Sequence, residues 1–316
     1  MTSNDPPHAR APGRRARSVR RSARHWRATA LFIGPTLVAL AVVAVLPTLW
    51  AIFSSLFEWH FHRPHARAFI GLGNYVRLAG DARFLNAAWN TAIYTAVSVG
   101  ATMVFGTLLA LLTRAPFPGK SVVRALLTVP MIMTPVVSTL VWKTFFFEAD
   151  LGLVNWVLGL AGIRGPAWVA SSPSAMATIL LVNVWFMTPF VYLVMDAALE
   201  GLPDEVVDAA KIDGAAYWQR VRFVILPMLR ATIVFTVIFR ITIDARMFEI
   251  IHVMTGGGPA RDTEVLTLWV YNAALRNFHL GYGNAGGVAL MVLVGTACLA
   301  IMLVGLRDMY GRTGAR

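Results

Sequence analysis

The chain has 316 residues, of which 57% are hydrophobic and only 14% charged. A globular surface of that size needs more charge, so composition excludes a soluble domain. The net charge of +12 does not indicate a nucleic-acid binder. Eight arginines (Arg10, Arg14, Arg15, Arg17, Arg20, Arg21, Arg24 and Arg27) precede Leu31, with Trp26 as the single interleaved aromatic residue, and they abut a long apolar run. A cationic cluster in that position sets membrane orientation and touches anionic lipid.

Residues 1–30, rich in Pro and Arg, read as a disordered cytoplasmic tail, and residues 31–316 as one transmembrane domain. The tail is not the front of a cleaved leader, because the apolar run is too long and no small-x-small site follows it. A helix needs about 20 apolar residues to cross a bilayer core. Six stretches meet that length: Leu31–Phe57, Asn86–Leu112, Ala125–Phe147, Ala175–Met195, Ala231–Val253 and Ala285–Leu306. The prolines inside them (Pro35, Pro47, Pro130, Pro135, Pro189) are compatible with membrane helices, where neighbours satisfy the freed carbonyls. With the N-terminus inside, the cytoplasmic segments carry more than twice the Lys and Arg of the outer ones, so both termini are expected in the cytoplasm.

Between the spans, His60, His62 and His65 cluster outside the first, as a solvated loop or an outer metal site, with no carboxylate cluster beside them. Gly119-Lys120-Ser121 has the ending of a phosphate-binding loop. Arg114 stands where the motif's first glycine belongs, and the stretch is a short connection between two spans. Thr255-Gly256-Gly257-Gly258-Pro259 reads as a turn ending a helix on the outer side. Cys298, the one cysteine, lies in an apolar run and reads as a small buried apolar residue. No catalytic constellation and no cofactor motif emerges, and the chain carries no energy source of its own.

The longest cytoplasmic loop, 200–230, holds the most specific pattern. Pro203 begins a short helix with Asp204 and Glu205 in its first turn, as the helix dipole favours. Gly214 ends it, and a second amphipathic helix runs to Pro227. Asp208-Ala209-Ala210, three residues, Gly214, nine residues, then Val224-Ile225-Leu226-Pro227 resembles the EAA signature of ABC-importer permeases. Asp208 replaces glutamate and Val224 replaces isoleucine, both keeping the chemical type. Phe69-Ile70-Gly71-Leu72-Gly73-Asn74-Tyr75, Asn90-Thr91, Gly152-Leu153-Val154-Asn155, Val184-Trp185, Pro189-Phe190, the Thr-Gly-Gly-Gly-Pro turn and Leu280-Gly281-Tyr282 resemble its carbohydrate branch, the maltose-type sugar permeases.

The resemblance implies an all-α, six-span bundle, the transmembrane subunit of a type I ABC importer of a sugar, oligosaccharide or polyol. It implies a second permease chain, two ATP-hydrolysing subunits and an external solute-binding protein as partners, with Asp208, Ala209, Ala210, Asp213, Gly214, Leu226 and Pro227 coupling the pore to the ATPase. It also implies solute contacts at Arg240, Ile243, Asp244 and Met247, and at Phe186, Met187 and Phe190 in the span before the loop. Arg240 and Asp244 are an i,i+4 pair, and each costs roughly 2.5–3.5 kcal/mol at a helix centre facing lipid. They therefore face either the solute path or the partner subunit, where they neutralise each other; Arg246 points elsewhere. An ion-driven secondary transporter is the alternative, and it predicts internal repeats and broken helices.

Overall fold

A computed structural model describes residues 32–62 and 67–310. The basic tail, His65 and the last six residues lie outside the described part. The described residues up to Phe53 belong to one compact unit and those from Ser54 onward to another. The first helix, α1 (Phe32–Ser54), is long and apolar enough to cross a membrane. Its apolar side chains are exposed, Phe32 at 82% and Val43 at 76%. Such a surface suits hydrocarbon and not water.

In the second unit a two-residue hairpin pairs β1 (Phe57–Glu58) with β2 (Ala68–Phe69), Phe57 opposite Phe69. The short α2 (Gly73–Gly80) follows, then α3 (Ala82–Leu112), whose Asp81 N-cap accepts from the backbone N–H of Arg83 and Phe84. A cap of this kind satisfies donors that a helix start leaves unpaired. α3 pairs along its length with α7 (Ser172–Glu200). Gly106 permits the approach: a Cβ there would lie 2.6 Å from Val191 Cβ. Small residues at such crossings let membrane helices pack closely.

The third expected span is not straight. α4 (Lys120–Ile132) and α5 (Pro135–Phe146) meet at 100°. Met133 and Thr134 are extended, with ψ of 152° and 143°. A residue before proline is pushed out of the helical region, and Thr134 then caps the new helix by accepting from Val137 N–H. After the short helix α6 (Leu153–Leu160) and α7, the loop folds as α8 (Asp204–Ile212) and α9 (Tyr217–Met228).

The fifth span starts at α10 (Arg230–Asp244), bent 70° from α9. It leaves the helix at 245–248 and resumes as α11 (Glu249–Met254). α12 (266–276) and the last span, α13 (Leu280–Tyr310), complete the unit. Among the described residues four helices are long and apolar enough to span, and counting each bent pair as one span brings the number to six.

Candidate functional site

At mid-length of the bundle three helices are tied by charge. Arg240 on α10 donates through Nη2 to Asp244 Oδ2 at 2.7 Å, one turn further on. Ser98 Oγ on α3 donates to the same oxygen at 2.8 Å, and Asn183 Nδ2 on α7 reaches Ser98 Oγ at 2.5 Å and Asp244 Oδ1 at 3.4 Å. Arg240, Asp244, Ser98 and Asn183 are all buried. The carboxylate thus receives donors from α10 itself, from α3 and from α7, which offsets part of the cost of removing a charge from water.

The residues expected on the solute path divide by burial. Arg240, Asp244, Met247 and Phe186 are buried inside this chain, Phe186 at 5% exposure. Ile243, Met187 and Phe190 are partly exposed. Ile243 and Met187 pack against the apolar cluster that holds Tyr94, Met247 and Ile250. Phe190 stacks on Phe239, with ring centroids 5.0 Å apart.

Two further ion pairs tie the ends of the bundle. On the side of the glycine turn, Arg83 makes a bidentate contact with Glu264, Nε to Oε2 at 2.8 Å and Nη2 to Oε1 at 2.6 Å, and Asn272 adds a third donor at 2.9 Å. On the side of the loop at 200–230, Arg124 of α4 pairs with the buried Asp196 of α7 and approaches Glu200 at 3.4 Å. Sequence reasoning missed these partners, together with Ser98 and Asn183. For Ser98, Asn183 and Asp196 the signal was a lone polar residue inside an apolar run, and for Arg83, Arg124 and Glu264 a charge near a span end; pairing across helices depends on register that no local pattern carries.

The loop that resembles the coupling segment is an exposed helix–glycine–helix. α8 starts at Asp204 with Pro203 at its N-cap and carries Asp204 and Glu205 in its first turn. Gly214, at φ +81°, ends it: Gly214 N–H bonds Lys211 O and Ala215 N–H bonds Ala210 O, both at 3.0 Å. This is the Schellman closure that glycine permits. One face of α8 is anchored, with Val207 packed into the cluster of Val221, Ile225 and Leu199. The opposite face is open, with Ile212 86% exposed, and on α9 Trp218 and Phe223 are 63% and 68% exposed. Asp208 stands exposed, hydrogen-bonded to Lys211 Nζ at 2.6 Å. That ammonium holds the Asp208 carboxyl below the usual carboxylate range. Ala209, Asp213, Gly214 and Pro227 are exposed, and Ala210 and Leu226 half-buried.

In the glycine turn, Gly256 and Gly257 have φ of +64° and +93° and the Gly258–Pro259 bond is cis. Thr263 Oγ1 donates to Gly258 O at 2.6 Å. His60 meets His279 edge to face at 4.4 Å, and His62 lies against Phe278. Among the described residues no group of three or more His, Cys, Asp or Glu side chains is placed to hold a metal ion.

Comparison with known proteins adds three findings. The family model described as "Binding-protein-dependent transport system inner membrane component" matches residues 102–312. The chain is 32% identical to the trehalose/maltose transport system permease protein MalF of Thermococcus litoralis, over 84% of this chain and 88% of that one. It is 31% identical to the sulfoquinovosyl glycerol transport system permease protein SmoG of Agrobacterium fabrum, over 83% and 85% of the two chains. Among solved structures, a chain of a bacterial alginate ABC transporter in complex with a pentasaccharide-bound periplasmic protein superposes with a TM-score of 0.78. That match spans 91% of this chain and 96% of the other at 20% identity, a likeness of fold.

Proposed function

The chain belongs to the family of binding-protein-dependent transport system inner membrane components, and we propose that it forms one half of the pore through which an ABC importer takes up a sugar or sugar glycoside. It is a multi-pass membrane transport subunit and not an enzyme. Membership of the family implies that it works with an ATPase, an external binding protein and a second permease.

The observation that carries the mechanism is the loop at 204–228. An exposed helix pair, rooted in the bundle by Val207 and pinned at its corner by Gly214, is a rigid knob. Seated in a cleft on the ATPase, it passes the closure of that subunit to α7 and α10, the two helices it joins. The pair Arg124–Asp196 holds α4 to the inner end of α7, so α4 moves with the knob. The sugar assignment is supported by the relatives, whose named solutes are trehalose, maltose and sulfoquinovosyl glycerol. All three are polyhydroxylated.

Within the pore, the reading that agrees with burial has Ile243, Met187 and Phe190 bordering the path. Arg240 and Asp244 stand behind them, holding α3, α7 and α10 in register. Assembled with its partner chains in proteoliposomes, the subunit should support uptake of trehalose or maltose only with ATP at the ATPase and loaded binding protein on the opposite face. Uptake that follows an ion gradient without ATP would instead establish the secondary-transporter alternative.

Orientation is part of the same proposal, with both termini in the cytoplasm and the knob facing it. Reporter fusions after Arg83, Arg164 and Arg276 should read as external, and those after Lys120, Arg220 and Arg312 as internal. A reversed reading at any two of these sites defeats this topology.

A further inference from the structure

Among the described residues from Ser54 onward, one face of the fifth span is left uncovered, and it carries a charge, Arg246, that a lipid face does not. α10 buries Thr236, Arg240 and Asp244. It lays Thr242 against Cys298 of α13, Oγ1 to Sγ at 3.6 Å. Successive turns of the remaining face carry Phe235, 62% exposed, Phe239, 39% exposed, and Ile243. Arg246, just past the helix end, continues the stripe and is exposed. Phe239 stacks nearly parallel on Phe190 (5.0 Å, 24°) and on Phe235 (6.1 Å, 22°). The Arg246 guanidinium is fastened at one edge, Nε donating to Thr242 O at 2.8 Å.

Depth decides what this stripe faces. From Arg230 to Arg246 the chain climbs about 24 Å at ~1.5 Å per residue, inside an apolar core about 30 Å thick. With Arg230 at one edge of that core, Arg246 lies within it, at the stretch 245–248 where the backbone leaves the helix. Charge and unwound backbone at that depth are tolerated against protein or water and not against lipid. Arg240 and Asp244 are buried and bonded to each other inside the chain; Arg246 is an exposed cation on this span.

We propose that Phe235, Phe239 and Arg246 line the solute path of the assembled importer, in continuity with Ile243 and Phe190. Arg246 donates hydrogen bonds to solute hydroxyls at the helix break. The three stacked rings receive the C–H faces of the sugar on its way to the cytoplasm, since an aromatic face is a favourable surface for such contacts. The proposal rests on the reading of the chain as a sugar-importer permease.

Thiol labelling in the assembled importer tests it. With Cys298 replaced by alanine, Arg246→Cys and Phe239→Cys should react with a quaternary-ammonium methanethiosulfonate at least ten-fold faster than Leu299→Cys, which is exposed on α13. Labelling at the Leu299→Cys rate, both without nucleotide and with ATP trapped, means that lipid or the partner permease covers the stripe, and overturns the proposal. Trehalose, used as the probe and delivered by its binding protein, should slow labelling at both positions several-fold. No protection in an importer that transports trehalose overturns the solute contact. If the unsubstituted importer transports no sugar, the failure is that of the sugar assignment, and the labelling contrast still decides whether the stripe faces water.

Discussion

Replacing Asp208 by lysine should abolish the stimulation of ATP hydrolysis by loaded binding protein, with the subunit still inserted in the membrane. Asp208 is exposed on the open face of α8 and takes no part in the packing that roots the helix, which falls to Val207. Its one bond within the chain is to Lys211, and a surface pair of this kind contributes little to stability. Lys211 keeps its carboxyl below the ordinary range, so Asp208 is a full negative charge at neutral pH. Charge reversal places two ammonium groups side by side on the face proposed to meet the ATPase, and so replaces the negative charge offered there with a positive one. A drop of at least ten-fold in stimulated ATPase is expected. Gly214→Pro should have a comparable effect by another route, because proline's φ of about −65° cannot match the +81° that the corner requires. Normal stimulation in both variants would sink the docking role of the knob.

The knob was legible in the sequence because each of its parts is local. Acidic residues in a first turn, a glycine at a helix end and an amphipathic repeat are decided within a few residues, and α8, Gly214 and α9 follow them. The six apolar stretches were legible for the same reason. What failed to show was how the spans bend. Pro130 and Pro135 read as prolines a membrane helix absorbs, yet the chain turns by 100° between α4 and α5. A proline only weakens a helix, and neighbouring elements decide whether it kinks or persists. The break at 245–248 carries neither Gly nor Pro; its one mark in the sequence is the set of charges, Arg240, Asp244, Arg246 and Glu249, that interrupts the apolar run from Ala231. Part of its closure comes from a distant residue: Thr267 Oγ1 donates to Met247 O at 2.9 Å.

The central pair shows the same limit and sets the sharpest test. Spacing alone placed Arg240 and Asp244 on one helical face. It could not say that Ser98 and Asn183, from two other spans, complete a buried network around Asp244. If the pair holds the three helices in register, Asp244→Ala strands the Arg240 guanidinium in a dry interior, and breaking a buried pair in this way costs about 3–5 kcal/mol. The single variant should therefore assemble poorly and lose most uptake. The double variant Arg240→Ala with Asp244→Ala leaves no stranded charge and should recover most of the assembly, leaving the smaller loss of a cavity and of two hydrogen-bond partners. On this reading neither side chain touches solute, so uptake should return in proportion to assembly. The measurement is a double-mutant cycle on the yield of assembled complex, read together with uptake per assembled complex. Were the double variant to assemble well and yet transport nothing, the pair would belong to the solute path, and its burial in this chain would be one state of a pore that exposes it in another.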